Sequence, residues 1–174
     1  MEEDPHDVEW PYHDDVATKS RLHLTQGDWA IDTINPDGWR KFFDYLKLTT
    51  ADFVVGQECK VPTDEPCRSL EAAARTAGWH VSITKCVRTK AEGNSAGVVV
   101  ATRIRVGMAD ADPVVRTSHI HDPGRFTMKH IGAIWKGGFH NGSLYLYHTI
   151  GARGKANLDL LDSVAITLAG LKGH

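Results

Sequence analysis

The residue with the best claim to chemistry is Glu58, which closes the run Ala51-Asp52-Phe53-Val54-Val55-Gly56-Gln57-Glu58. An apolar run that ends on polar residues reads as a buried strand, and a carboxylate at the mouth of such a strand sits where active-site acids are commonly found. A solvated strand end is the plain alternative. His119-Ile120-His121-Asp122 offers a second possibility, because histidines at i and i+2 of a strand face the same side and can share a transition metal; a polar loop is the alternative there. Lys85, Arg88, Lys90, Arg103 and Arg105 flank the turn Gly93-Asn94-Ser95 and could track a phosphate backbone or form a solvated rim. Cys59, Cys67 and Cys86 are odd in number and make no Cys-x-x-Cys pair, which argues against a disulfide framework or a zinc site and for free thiols.

The elements that must position these residues alternate between strand and helix. Trp29-Ala30-Ile31 leads into Thr33-Ile34-Asn35 as a strand, Pro36-Asp37-Gly38 turns the chain, and Trp39, Phe42, Phe43 and Leu46 recur at helical spacing. After the Glu58 strand, Ser69 to Ala77 is expected to be helical with Gly78 as its C-cap, and Trp79 to Ile83 alternates as the next strand. Ala96 to Ala101 is apolar on both faces, so a strand covered on both sides is expected. Further strands are expected at Phe126 to Trp135 and Ser143 to His148, joined by a hairpin spanning Lys136-Gly137-Gly138 to Asn141-Gly142. Leu158, Leu161, Val164, Leu168 and Leu171 trace the expected buried face of a closing helix.

With 174 residues, 41% hydrophobic and 24% charged, the chain has apolar material for one domain. Residues 1–20 are acidic and carry Pro5 and Pro11, so they read as a flexible lead-in, with the domain at 21–174. No run approaches the roughly 18 apolar residues of a membrane span, and the acidic N-terminus is unlike a signal peptide, so an intracellular protein without a membrane is expected. A formal charge of −2 does not advertise a dedicated nucleic-acid binder, although a neutral protein can hold a locally basic cleft.

A strand ending in Asn35, a helix, and a strand of the form Asp-Phe-Val-Val-Gly-Gln-Glu resemble the opening of the endonuclease/exonuclease/phosphatase superfamily. Gly93-Asn94-Ser95-Ala96-Gly97-Val98 is similar to the family's Gly/Ser-rich turn into a central strand. Pro123-Gly124-Arg125-Phe126 resembles its arginine before the next strand, and Leu144-Tyr145-Leu146-Tyr147-His148 its strand with an active-site tyrosine or histidine. Ala156-Asn157-Leu158-Asp159-Leu160-Leu161 resembles the helix that follows, so the resemblance covers about residues 25–174 in the family's order. It implies an α/β (α+β) fold, part of a four-layer sandwich of mixed, mostly antiparallel sheets flanked by helices.

The activity so implied is Mg2+-dependent (or Mn2+-dependent) phosphodiester hydrolysis on DNA or RNA, with descent from the endonuclease part of a retroelement as an expectation. Glu58 would be the metal ligand and Asn35 would bind a metal-held water or the phosphate without adding charge. Arg125, Asn94 and Ser95 would hold the substrate phosphate, and Tyr145 would donate to it, with Tyr147 and His148 as alternatives for that strand position. The family's later Gly-Asp-x-Asn and Ser-Asp-His motifs do not occur in the sequence. The expectation is therefore a truncated domain that binds its metal weakly and is inactive alone, the alternatives being a non-catalytic remnant that binds nucleic acid or protein and a phosphatase of small phosphoesters.

Overall fold

A computed structural model describes residues 27–89, 93–110, 123–132, 137–147 and 150–171. The acidic lead-in, the His119-His121 cluster, Lys90 and His148 lie outside the described residues.

The first sheet is built by β1 (Ile31–Ile34), β2 (Phe53–Gly56), β6 (Val99–Arg103) and β3 (Trp79–Ile83), in the order β1-β2-β6-β3. β1 and β2 are parallel, and β6 runs antiparallel to both its neighbours. A parallel pair needs a crossover, which α1 (Trp39–Leu48) supplies. Its apolar residues at helical spacing bury Phe42 and Leu46 on one face of this sheet beside Val54, Trp79, Val81, Val99 and Ala101. The same face receives Cys67 and Ala74 from α2 (Asp64–Thr76). Gly56 has no room for a side chain, since a Cβ there would lie 2.8 Å from both the Phe42 ring and Val99. Close packing of α1 under the end of β2 thus depends on that glycine.

Two short strands, β4 (Val87–Arg88) and β5 (Asn94–Ser95), pair as a separate ribbon. The second sheet is antiparallel, in the order β7 (Ala109–Asp110), β8 (Phe126–Ile131), β9 (Phe139–Leu144). It meets the free face of the first through Phe53, Val106, Ile131 and Phe139, with the Phe53 and Phe139 rings edge-on at 5.5 Å. On its outer face α3 (Lys155–Ala169) packs Leu160 and Val164 against Phe126 and Met128. The fold is α+β, and its mixed and antiparallel sheets form no closed barrel. Among the described residues no helix is long and apolar enough to cross a membrane.

Several element limits differ from the sequence expectation. α2 begins at Asp64, ahead of the expected Ser69, because Pro66 falls in the first turn, where its missing N–H costs nothing, and Asp64 and Glu65 complement the helix dipole there. Asn141 and Gly142 lie inside β9, opposite Lys129 and Met128, and it is Gly137 and Gly138 that take the positive φ angles of the turn. β9 ends at Leu144, so Tyr145 and Tyr147 leave the sheet.

The largest difference is the rotation of α3. Leu158, Leu161 and Leu168 are exposed, whereas Asn157, Leu160, Ser163, Val164 and Thr167 are buried. Asn157 sets this rotation. Its Nδ2 donates to the carbonyls of Tyr147 (2.8 Å) and Gly151 (2.7 Å), and its Oδ1 accepts from the Tyr147 N–H at 2.7 Å. A buried amide with three backbone partners outweighs the transfer of one leucine face. Asn157→Leu is therefore expected to lower stability by about 2–4 kcal/mol, because it strands those backbone groups, while Leu158→Ser changes it by less than about 0.5 kcal/mol. Urea unfolding midpoints at constant slope measure both, and the reverse ranking would restore the leucine face as the buried one.

Candidate functional site

The parallel pairing of β1 and β2 brings their ends side by side, because Ile34 faces Gly56 and the Gln57 N–H donates to the Ile34 carbonyl at 3.1 Å. Asn35 and Glu58 therefore emerge from neighbouring strands at one rim of the sheet. Asn35 is exposed and Glu58 half-buried.

The backbone just beyond is strained. Among the described residues, the non-glycine residues with positive φ are Asp37 (53°), Glu58 (56°), Lys60 (55°) and Ala96 (64°). Side chains resist this region, and such conformations gather at functional sites. Three of the four are charged, and two of those charges, Lys60 and Asp37, meet. The Lys60 ammonium donates to the Asp37 carboxylate, and the Tyr145 hydroxyl donates to Glu58 Oε1.

The electrostatics follow from these contacts. The Lys60 hydrogen bond holds the Asp37 carboxyl below its usual range, helped by the Lys60 and Lys41 charges. Asp37 in turn raises Lys60, with a smaller push from Glu58. Burial is the largest cause that lifts the Tyr145 hydroxyl to about 12, followed by its bond to Glu58 and the Glu58 charge, with Arg125 opposing. Tyr145 is thus a neutral donor across the physiological range.

Arg125 lies within this structure rather than on its surface, at 4% exposure. It ends the 3-10 turn Pro123–Arg125 ahead of β8, and its guanidinium lies 3.6 Å from the centre of the Tyr147 ring and 5.3 Å from that of Tyr145. Its terminal nitrogens reach the carbonyls of Tyr145 and Leu146 at 3.5 Å and the Ser95 hydroxyl at 3.4 Å. The Arg125 carbonyl accepts from the Tyr145 N–H at 2.8 Å. The arginine thus supports the segment that carries Tyr145. Ser95 joins the cluster through Arg125, while Asn94 is exposed on the β4–β5 ribbon, opposite Arg88.

The geometry therefore gathers Glu58, Tyr145, Arg125 and Ser95, sets Asn35 at the same rim, and leaves Asn94 apart. Asp37 and Lys60 are site residues that the sequence reading passes over. Asp37 reads as turn chemistry after Pro36, yet its position two residues after Asn35, like that of Lys60 two after Glu58, was the available signal. Of the basic residues around the Gly-rich turn, Arg103 is not at the rim, since it donates to the carbonyls of Thr49 and Ala51 behind α1 and stacks on Trp79. The thiols are free, and burial lifts Cys59 to about 12 and Cys67 to about 11, so neither is a nucleophile.

Chemically, the rim offers two carboxylates, an amide, a neutral hydroxyl donor and a lysine, and among the described residues no group of three or more His, Cys, Asp or Glu gathers as a metal site. No protein-family model, curated protein or solved structure matches the chain.

The Tyr145 hydroxyl supplies a direct check. A free tyrosine titrates near pH 10, and folded Tyr145 at about 12, so its contribution to stability is complete below pH 10 and is lost as pH rises toward 12. Absorbance at 295 nm is expected to show a tyrosine step near 12, and Glu58→Gln is expected to bring that step down toward 10. A late step unmoved by Glu58→Gln would mean that burial alone sets it.

Proposed function

We propose that the Glu58 rim is the site of a divalent-metal phosphodiesterase of the endonuclease/exonuclease/phosphatase type, acting on DNA or RNA. The observation that carries this reading is the concentration of backbone strain on Asp37, Glu58 and Lys60, three charged residues at the end of one parallel strand pair. Strain of about 1–3 kcal/mol per residue persists only where the surroundings enforce it.

By donor type the rim would suit a Mg2+ ion held by few protein groups, since among the described residues no three His, Cys, Asp or Glu gather as a metal site. The Glu58 and Asp37 carboxylates and the Asn35 side-chain carbonyl are hard oxygen donors, and Mg2+ retains several of its own waters when so few protein groups bind it. When bound, the ion supplies Lewis-acid polarisation of a phosphoryl oxygen. The chain's own groups hold and orient. Lys60 keeps Asp37 ionised, and Tyr145 fixes one oxygen of Glu58 and leaves the other for the cation. The Tyr145 hydroxyl, protonated throughout the neutral range, has one O–H and gives it to Glu58, so it would donate to a phosphate oxygen only by exchanging that partner. Arg125 acts as a positioning residue in this reading, holding the Tyr145–Leu146 backbone by its guanidinium.

Nicking of supercoiled plasmid by the full chain tests the proposal. Because the family's later Gly-Asp-x-Asn and Ser-Asp-His motifs do not occur in the sequence, the expected result is at most weak Mg2+-dependent nicking, abolished by EDTA and lost in Glu58→Gln. Plasmid binding that needs no metal and survives Glu58→Gln, without nicking, would overturn it in favour of a non-catalytic nucleic-acid-binding module.

A further inference from the structure

The second sheet carries a different donor set at some remove from the Glu58 rim. We infer that His130 and His140 form a two-imidazole site for a borderline divalent transition-metal ion, Zn2+ or Cu2+.

The two histidines are direct partners in the antiparallel register of β8 and β9, so their side chains project from the same face of the sheet. Strand alternation makes this the outer face, shared with Phe126 and Met128, which α3 covers nearer the Tyr145 end. Both imidazoles are half-buried. Their ring centres stand 5.0 Å apart with planes inclined at 59°. Two imidazoles bound to one tetrahedral ion through nitrogens at about 2.0–2.1 Å hold their ring centres roughly 5 Å apart. The ring centres therefore already stand at a separation that two imidazoles sharing one ion would have.

Two neighbours keep the site compatible with a cation. Gly138 has φ +70°, and an ideal Cβ there would lie 2.4 Å from the Ile131 carbonyl oxygen and 2.6 Å from both Nε2 and Cε1 of His130, so any other residue would press on that ring's nitrogen edge. Lys129 alternates to the opposite face and pairs with Asp110, so its ammonium does not compete for the site. Imidazole nitrogen selects Cu2+ and Zn2+ over Mg2+, with Cu2+ the tighter of the two, whereas the Glu58 rim offers hard oxygens. The two sites are thus separable by the metal each takes. A bound ion would clamp the end of the β8–β9 hairpin.

The test is titration of the metal-free full chain with ZnCl2 or CuSO4, followed on the imidazole resonances by long-range 1H–15N correlation. Assignment of the two rings uses His130→Gln and His140→Gln. One equivalent of Zn2+ is expected to shift both imidazoles together, one equivalent of Cu2+ to broaden them ahead of the other histidines, and excess Mg2+ to displace neither. Each variant is expected to lose at least about tenfold in affinity, since a single imidazole remains. Broadening that begins at other histidines, or unchanged affinity in either variant, would overturn the proposal and leave the pair as an edge-to-face ring contact. The wild-type resonances decide the question even if a variant fails to fold.

Discussion

The left-handed turn at Glu58 is held in place by a second loop, and the rest of the candidate site depends on that interlock. The Cys59 N–H donates to the Gly97 carbonyl at 2.8 Å and the Lys60 N–H to the Ala96 carbonyl at 3.1 Å, while the Gly97 N–H donates onward to Gly124 at 2.9 Å. Ala96 and Gly97 are themselves in positive φ, so two strained turns lie back to back. A side chain at position 97 would press on the Lys60 nitrogen at 3.0 Å, and one at 124 on the Lys85 carbonyl at 2.6 Å. Each left-handed residue costs about 1–2 kcal/mol, and each backbone bond returns about 0.5–1.5 kcal/mol net, more where its loss would leave a buried group unpaired. Strain and bonding are thus of similar size, and the buried surroundings of Cys59, Ala96 and Gly97 tip the balance toward the strained turn.

From this interlock the second sheet takes its place. The Ser143 hydroxyl, almost fully buried, donates to the Gly56 carbonyl at 2.8 Å and lies 3.5 Å from the Gln57 amide. That seam sets β9 across the end of β2, so the chain leaving β9 delivers Tyr145 to Glu58. Arg125 then ties the Tyr145–Leu146 backbone to Ser95, and Asn157 ties Tyr147 to the start of α3. The hydroxyl that Glu58 receives is thus positioned by contacts from several elements distant in sequence.

The ion pairs in this arrangement differ in what they do. Lys47–Asp44 and Lys155–Asp159 are exposed pairs within a helix, and pairs of that kind add little to stability. Asp52 is another matter, because its carboxylate is 1% exposed and meets both Arg105 and the Ala30 N–H. It fixes the entry to β1 at the end of the sheet opposite Glu58. Lys60–Asp37 is exposed and adds little to stability, but it brings a second carboxylate to the rim.

How much of this was legible in the sequence divides along physical lines. Local signals were sufficient for the α+β class, for α1 from Trp39, Phe42, Phe43 and Leu46, for a doubly covered strand over Val99–Ala101 of the expected Ala96–Ala101 run, and for Glu58 as the residue at the mouth of a buried strand. These follow from side-chain periodicity and from burial of one or both faces, which the chain carries residue by residue. The rotation of α3 did not follow, because leucine spacing names an apolar face but not the buried amide at Asn157 that overrides it. Nor did the interior position of Arg125, the inclusion of Asp37 and Lys60, or the ends of β9, all of which rest on partners brought in from other elements. The sequence by itself determined which elements form and which rim of the sheet carries a carboxylate. Tertiary structure alone decided which side chains meet there, because left-handed turns, cross-sheet hydrogen bonds and a shared low-dielectric surrounding exist only once loops distant in sequence have closed on one another.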